Sequence, residues 1–125
     1  MDEDKINKLP QDVKKQFLKL ALKLSEKKTK NKVHDDFLSF GKHVWPEFIE
    51  GRHHKEIADK FNDIANKKIK RLIINMPPRH TKSEFASFLL PAWMVGRKPD
   101  LKIIQSTHTT ELAIRFGRKA KNLMD

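Results

Sequence analysis

With 125 residues, the chain is long enough for one domain at most and for a modest hydrophobic core. Its lysines and arginines outnumber its aspartates and glutamates by 27 − 16 = 11. This charge predicts attraction to polyanions, nucleic acid first and nucleotide phosphates second, unless it belongs to an ordinary solvated surface. The absence of cysteine excludes disulfides, thiolate metal sites and a thiol nucleophile. No segment resembles a signal peptide or a membrane span, so we expect a cytoplasmic protein.

The first half of the sequence predicts three helices, because apolar residues recur at helical spacing over residues 10–27, 35–43 and 53–66. The run KKTKNK at 27–32 predicts a linker after the first of them. The cluster VWPEF at 44–48 predicts a packed corner that belongs to the core. The residues that define the three apolar faces are Val13, Phe17, Leu20 and Leu24; Phe37, Leu38 and Phe40; and Ile57, Ala58, Phe61, Ile64 and Ala65.

The second half has two apolar runs of strand length, near residues 70–75 and 101–106. Between them a helix is expected from Lys82 to about Val95, kinked or ended by Pro91. A last helix follows, capped by Thr109 or Thr110, with one apolar face that consists of Leu112, Phe116, Ala120 and Leu123.

This order of elements predicts an α/β fold, in which a βαβ unit with parallel strands is preceded by two or three helices. The unit would lie within residues 33–125. Residues 1–32 would form a basic helix and a linker.

The loop after the first predicted strand has part of a phosphate-binding pattern. In G-x-x-x-x-G-K-[ST], Lys82 and Ser83 fill the last two positions, whereas Met76 and Thr81 stand where the pattern has glycine. Such a loop directs backbone N–H groups and a helix N-terminus at one anion, while the lysine reaches the terminal phosphates and the hydroxyl binds Mg²⁺. A positive φ at Thr81 would cost about 1–2 kcal/mol, so the loop either takes another shape or is strained.

Two prolines and two polar side chains fill the middle of this loop. Pro77 and Pro78 remove two N–H donors and stiffen the turn. Arg79 and His80 add side-chain donors that could replace the backbone ones. These residues alone leave two interpretations open: a phosphate-binding loop, and a basic turn that binds no ligand.

The run RLIINMPPRHTKSEFASFLLPAW resembles the nucleotide-binding segment of the large terminase subunits of tailed bacteriophages, whose ATPase domains commonly carry a PPRHGKS-type Walker A motif. The resemblance begins near FGKHVWPEFIEGRHHKEIADKF and continues through GRKPDLKIIQSTHTTELAIRFGRKAKNL, so it covers residues 37–125. Several motifs in the same order and spacing are more specific than one degenerate loop. The resemblance implies an ATP-driven motor that packages double-stranded DNA into a capsid, as a ring of subunits in the host cytoplasm, with the portal protein and the small terminase subunit as partners.

The resemblance also implies roles for individual residues. Lys82 and Arg79 would be catalytic, Lys82 on the β and γ phosphates of ATP and Arg79 on the γ-phosphate, where phosphoryl transfer needs positive charge. Ser83 would hold Mg²⁺. His54, or its neighbour His53, falls where terminases carry an adenine-contacting residue. The residues expected to wrap the phosphates are Pro77, Pro78, Arg79, His80 and Thr81.

Alternatives stay open for these residues. Arg79 could be a surface arginine paired with a carboxylate, and the two histidines could be helix-capping or solvated. Polar residues at the end of the second predicted strand could face nucleotide or DNA, or could cap the last helix; they are Ser106, Thr107 and His108. The basic side chains of the last helix suit DNA or ordinary solvent; they are Arg115, Arg118, Lys119 and Lys121.

ATP hydrolysis in this class needs a second strand-end motif, with an aspartate that holds Mg²⁺ and a glutamate that activates water. No apolar run in this sequence ends in two carboxylates, and the acidic cluster of the terminase nuclease domain is also missing. The resemblance therefore implies a P-loop NTPase-like βαβ unit in residues 33–125, as the incomplete amino-terminal part of a P-loop ATPase domain that binds nucleotide at most. The alternatives are a non-catalytic basic module that binds nucleic acid or a protein, and a fragment of a small P-loop kinase or helicase.

Overall fold

Helices are the only regular secondary structure in residues 10–124, the part of the chain that the computed structural model describes. The chain divides into two units between Lys32 and Val33, within the last turns of the first helix. None of the described helices is long and apolar enough to cross a bilayer. In chain order the elements are α1 (Gln11–Asp35), α2 (Phe37–Val44), α3 (Arg52–Ala65), a π-helical segment (Glu84–Leu89), α4 (Leu90–Arg97) and α5 (Thr110–Met124).

The predicted α/β fold is wrong. Residues 70–75 and 101–106 are not strands, and no backbone hydrogen bond joins one to the other in the described part of the chain. The side chain of Ile74 does pack against the core, but Ile73 is 85% exposed and Ile104 is 98% exposed. A parallel sheet needs cover on both faces, and two strands alone are marginally stable. Because the described helices leave Ile73 and Ile104 in solvent, these runs remain unpaired segments.

The core of the second unit is centred on Phe37, which is completely buried. Its ring makes edge-on contacts with the rings of Phe61, Phe85 and Trp93, at centroid distances of 4.9, 5.4 and 5.5 Å. Edge-to-face aromatic pairs contribute about 0.5–1.5 kcal/mol each beyond the burial of their surface. One side chain of α2 therefore holds α3, the π-helical segment and α4 together.

The apolar faces predicted for the third and last helices are confirmed. Ala58 and Phe61 of α3 are 1% exposed, and Phe116 and Ala120 of α5 are 8% exposed. The predicted cap is also present, because the Thr109 hydroxyl accepts a hydrogen bond from the backbone N–H of Leu112, the third residue of α5, at 3.3 Å.

The corner predicted at 44–48 contributes less to the core than its composition indicates. Trp45 stacks against Phe48 at a centroid distance of 5.6 Å, but it remains 38% exposed. The buried tryptophan is instead Trp93, whose indole N–H donates to the carbonyls of Val33 and His34 at 3.2 and 3.1 Å. Trp93 can be fully buried because its one polar atom has partners there.

Asp36 and Asn62 join the start of α2 to α3. One Asp36 carboxylate oxygen accepts the Ser39 backbone N–H at 2.7 Å and caps α2, and the other accepts the Asn62 side-chain amide at 2.9 Å. The side-chain oxygen of Asn62, Oδ1, in turn accepts the Phe37 backbone N–H at 2.9 Å. The N-terminus of α2 is thus satisfied within the second unit, at the point where Phe37 enters the core.

The helix after the loop does not end at Pro91, one of the two outcomes predicted for it, but continues through it to Arg97. The turn before Pro91 is π-helical, and the Leu90 N–H donates to the Phe85 carbonyl five residues back. Proline has no N–H to offer the Ser87 carbonyl four residues back, and the Gln105 side-chain amide donates to that carbonyl instead, at 3.0 Å. A widened turn and a side chain from the predicted second strand therefore accommodate Pro91.

In the first unit, α1 is confirmed as a helix over the predicted range, but the linker predicted at 27–32 is helical too. Lysine and asparagine are compatible with helix, so a basic run does not by itself end one. The apolar side chains of α1 are 39–63% exposed; they are Val13, Phe17, Leu18, Leu20, Leu22 and Leu24.

Replacement of Asp36 by alanine tests the junction of α2 and α3. Asp36→Ala removes a helix cap and the partner of the Asn62 amide, so we expect the free energy of unfolding to fall by about 1–2 kcal/mol in urea denaturation. The adjacent Asp35 carboxylate is exposed and hydrogen-bonds to the exposed His34 ring at 2.7 Å, so Asp35→Ala is the matched control, with an expected change within about 0.5 kcal/mol. Equal losses in the two variants would contradict the assignment.

Candidate phosphate-binding loop

Residues 76–84 line a cavity of about 430 Å³ between the first apolar run and the π-helical segment. This volume is within the range of small-ligand sites, about 300–1,000 Å³. All of the loop residues singled out by the sequence pattern line this one cavity. The loop is therefore the place to test the predicted chemistry.

The backbone of the loop is left-handed at two residues that are not glycine. Arg79 has φ 64° and Thr81 has φ 58°. Position 81 is where the phosphate-loop pattern has its second glycine, and a β-branched residue in this conformation is strained by about 1–2 kcal/mol. Of the two possibilities left open by the sequence, the strained loop is the one found.

A chain of hydrogen bonds from α3 fixes the Thr81 side chain. The Gly51 backbone N–H donates to His54 Nδ1 at 2.9 Å, so this nitrogen carries no proton. His54 Nε2 carries it and donates to Thr81 Oγ1 at 2.7 Å, and the Thr81 hydroxyl donates to the His80 carbonyl at 2.7 Å. His54 therefore connects the first turn of α3 to the strained residue of the loop.

Gly51 gives the histidine pair the space that it needs. A Cβ atom at this position would lie 2.9 Å from Cε1 of His53 and 3.4 Å from Nδ1 of His54. The two imidazole rings are 3.8 Å apart, and His53 also reaches His80 of the loop at 5.8 Å. His54 is 6% exposed, and burial lowers the pKa of its imidazole below the ordinary value of 6.5; His53 lowers it further, Glu50 raises it and His80 lowers it.

Phe85 attaches the other end of the loop to the core. Its backbone N–H donates to the Thr81 carbonyl at 2.9 Å, which starts the helix directly after the loop. Its ring, 1% exposed, contacts the rings of Phe37, Phe48 and His54 at 5.4, 5.3 and 5.2 Å. Thr81 is therefore held at its side chain by His54 and at its carbonyl by Phe85.

The loop carries an excess of positive charge. Lys82 Nζ donates to the Met76 carbonyl across the loop at 3.3 Å, and neither Lys82 nor Arg79 has a carboxylate in ion-pair range among the described residues. Glu84 is the one acidic residue that lines the cavity, and both of its oxygens accept from Lys119 of α5 at 3.0 Å. An anion in the cavity would thus meet two cations and a carboxylate that is already neutralised.

Most of the predicted site residues are on the surface of this loop. His54 is the exception, since it is buried, caps the start of α3 and reaches the loop only through Thr81. The exposed loop residues are Pro77, Pro78, Arg79, His80 and Ser83. Ser106, Thr107 and His108 do not line the cavity, and the Thr107 hydroxyl donates to the Thr109 carbonyl at the start of α5, at 2.7 Å.

Sequence reasoning missed three residues that shape the site. The sequence pattern assigned no role to Gly51, and it placed Phe85 only within the helix expected from Lys82 to about Val95. Lys119 had been grouped with the basic face of the last helix, and nothing in the sequence pairs it with Glu84, 35 residues away. A short clue was available at Gly51, because a glycine two residues before a pair of histidines at a helix start is compatible with close packing of their rings.

Among the described residues, no group of three or more histidines, aspartates or glutamates could hold a metal ion. Comparison with protein-family models, with curated proteins and with solved structures found no match for this chain.

The strain at Thr81 can be measured with two variants that both lack the hydroxyl. Because φ is positive at this position, Thr81→Gly should be more stable than Thr81→Ala by about 1 kcal/mol, measured by urea denaturation. Ser83 has φ −71° and provides the control, since at that position alanine should be more stable than glycine by about 0.5–1 kcal/mol. If alanine were also the more stable residue at position 81, the left-handed conformation would be refuted.

Proposed function

We propose that residues 76–84 bind the phosphates of ATP together with Mg²⁺, in a protein of the terminase large subunit kind that takes part in packaging double-stranded DNA. The observation that carries this proposal is the left-handed backbone at Thr81, in the position where the phosphate-loop pattern has glycine. A loop that keeps this conformation with an unfavourable residue is supported by two further contacts, from His54 and Phe85. The proposal depends on this loop and needs no β-sheet.

Each residue of the loop has a proposed part in binding. The backbone N–H groups of residues 79–83 face the phosphate oxygens at the start of the helix, where an anion is favoured. Lys82 exchanges its weak bond to the Met76 carbonyl for a phosphate oxygen, and Arg79 approaches the terminal phosphate from the rim. Ser83 would hold Mg²⁺ through its hydroxyl, and the ion would neutralise charge on the phosphates.

We expect binding without turnover from this chain. Hydrolysis needs a carboxylate that activates water, and the one carboxylate on the cavity, that of Glu84, is engaged by Lys119. The sequence supplies no apolar run that ends in paired acids. Arg79 and Lys82, expected to be catalytic from the family resemblance, are therefore proposed as phosphate-binding residues here.

The proposed partners follow the resemblance and the charge. Double-stranded DNA is the first, and the exposed basic side chains of α5 are the proposed contact surface; they are Arg115, Arg118 and Lys121. The portal protein, the small terminase subunit, a ring of subunits and the host cytoplasm belong to the same proposal. The second candidate function is a non-catalytic basic module that binds nucleic acid, and the exposed cations of α5 favour it independently of the loop.

Titration with Mg-ATP in a calorimeter tests the loop. Lys82→Ala removes a charge-assisted contact to phosphate and should weaken binding at least about tenfold. Lys70→Ala, an exposed lysine outside the cavity, is the control and should leave the affinity within about twofold. ATP hydrolysis well above that of the Lys82→Ala variant would show that the expected lack of turnover is wrong.

The second candidate function predicts a different pattern in the same samples. Duplex DNA would bind with an affinity that falls steeply with salt and that Lys82→Ala leaves unchanged. Mg-ATP would not bind measurably to either protein. This combination would contradict the proposed phosphate-binding role of the loop.

A further inference from the structure

His54 has both of its ring nitrogens in hydrogen bonds of fixed direction. Nδ1 accepts the Gly51 N–H at 2.9 Å and Nε2 donates to Thr81 Oγ1 at 2.7 Å, so the network is complete only for the neutral ring with its proton on Nε2. An imidazolium would direct a second N–H at the Gly51 N–H. Two donors cannot share that contact, so the protonated ring has to move.

We infer that neutral His54 is a positioning residue, which holds Thr81 in its left-handed conformation and thereby sets the affinity of the loop for phosphate. Movement of the ring removes the contact that offsets the strain at Thr81, and the loop then leaves its left-handed conformation, on which the proposed phosphate binding depends. His54 itself touches no ligand in this scheme. The inference rests on the proposed function and adds that protonation of His54 lowers the phosphate affinity of the same site.

The surroundings of His54 supply opposing charges. His53 on α3 contacts the His54 ring, and His80 on the loop contacts His53; a positive charge on either disfavours a positive charge on His54. Glu50 favours that charge, but its carboxylate is shared with Lys42 and with Lys55, the latter at 3.0 Å. The remaining neighbours are the apolar rings of Phe48 and Phe85, at 4.6 and 5.2 Å, which disfavour an ion.

The direction of the pH effect separates positioning from simple electrostatics. A histidine that acted only as a cation would raise the affinity for phosphate as the pH falls. A histidine that positions the loop lowers the affinity as the pH falls through the region below 6.5, where the folded protein has to take up the proton. The free energy of unfolding should fall over the same region, because the neutral form is the one that the fold stabilises.

The experiment measures Mg-ATP affinity at pH 7.5 and pH 5.5 for the wild-type chain and His54→Gln, and at pH 7.5 also for His54→Ala, Thr81→Ala and their double variant. His54→Gln keeps an amide donor towards Thr81 without a titrating ring, so it reports the pH effect of the ligand and of the other histidines alone. Between pH 7.5 and pH 5.5, the Mg-ATP affinity of the wild type should fall by a factor at least about threefold larger than that of His54→Gln. At pH 7.5, His54→Ala should bind Mg-ATP about fivefold more weakly than the wild type. If His54 acts through the Thr81 hydroxyl, His54→Ala should not weaken binding further in a chain that already carries Thr81→Ala.

Amide hydrogen exchange of residues 79–83 without ligand provides a second measurement on the wild-type chain. Lower protection factors below pH 6.5, which compare each exchange rate with the intrinsic rate at the same pH, in the wild type but not in His54→Gln support the positioning role, even if His54→Ala fails to fold. Equal pH profiles of ATP binding in the wild type and His54→Gln would overturn the inference and leave the proposed function standing. Absence of ATP binding at both pH values would overturn the proposed function, and with it the link of His54 to phosphate.

Discussion

The contact of Phe85 with the core determines where the candidate loop lies. The ring of Phe85 packs against Phe37, the centre of the core, and its backbone N–H holds the Thr81 carbonyl. The same ring contacts His54, whose Nε2 holds the Thr81 side chain. The strained residue is thus fixed from both sides by groups that are themselves buried, as strain in a folded protein requires.

The loop combines this rigid base with an exposed rim. Glycine would let the backbone at position 81 turn without cost, whereas threonine provides a hydroxyl that ties the turn to another helix. Arg79 and Lys82 remain without carboxylate partners among the described residues, and Lys119 neutralises the one acid that lines the cavity. Conformation and charge therefore both favour a small anion, and neither depends on the parallel sheet that the sequence predicted.

Much of the helical structure could be predicted from the sequence, because long amphipathic patterns define a helix locally. The apolar face of α3 around Phe61 and that of α5 around Phe116 lie as expected. The strands could not be predicted safely, since a short apolar run becomes a strand only if it finds a partner, and Ile73 and Ile104 remain in solvent. In the loop, Lys82 and Ser83 were visible from the pattern.

The contacts that hold the loop had no local signal. His54 lies 27 residues from Thr81 and Lys119 lies 35 residues from Glu84, and only the tertiary fold brings them together.

The most direct test of the phosphate-binding loop is a titration of the ¹⁵N-labelled chain with Mg²⁺ and tripolyphosphate, followed through its amide resonances. The account predicts saturable shifts concentrated at residues 79–84. Unsaturable shifts spread over the exposed lysines of α1 and α5, and abolished by salt, would contradict it.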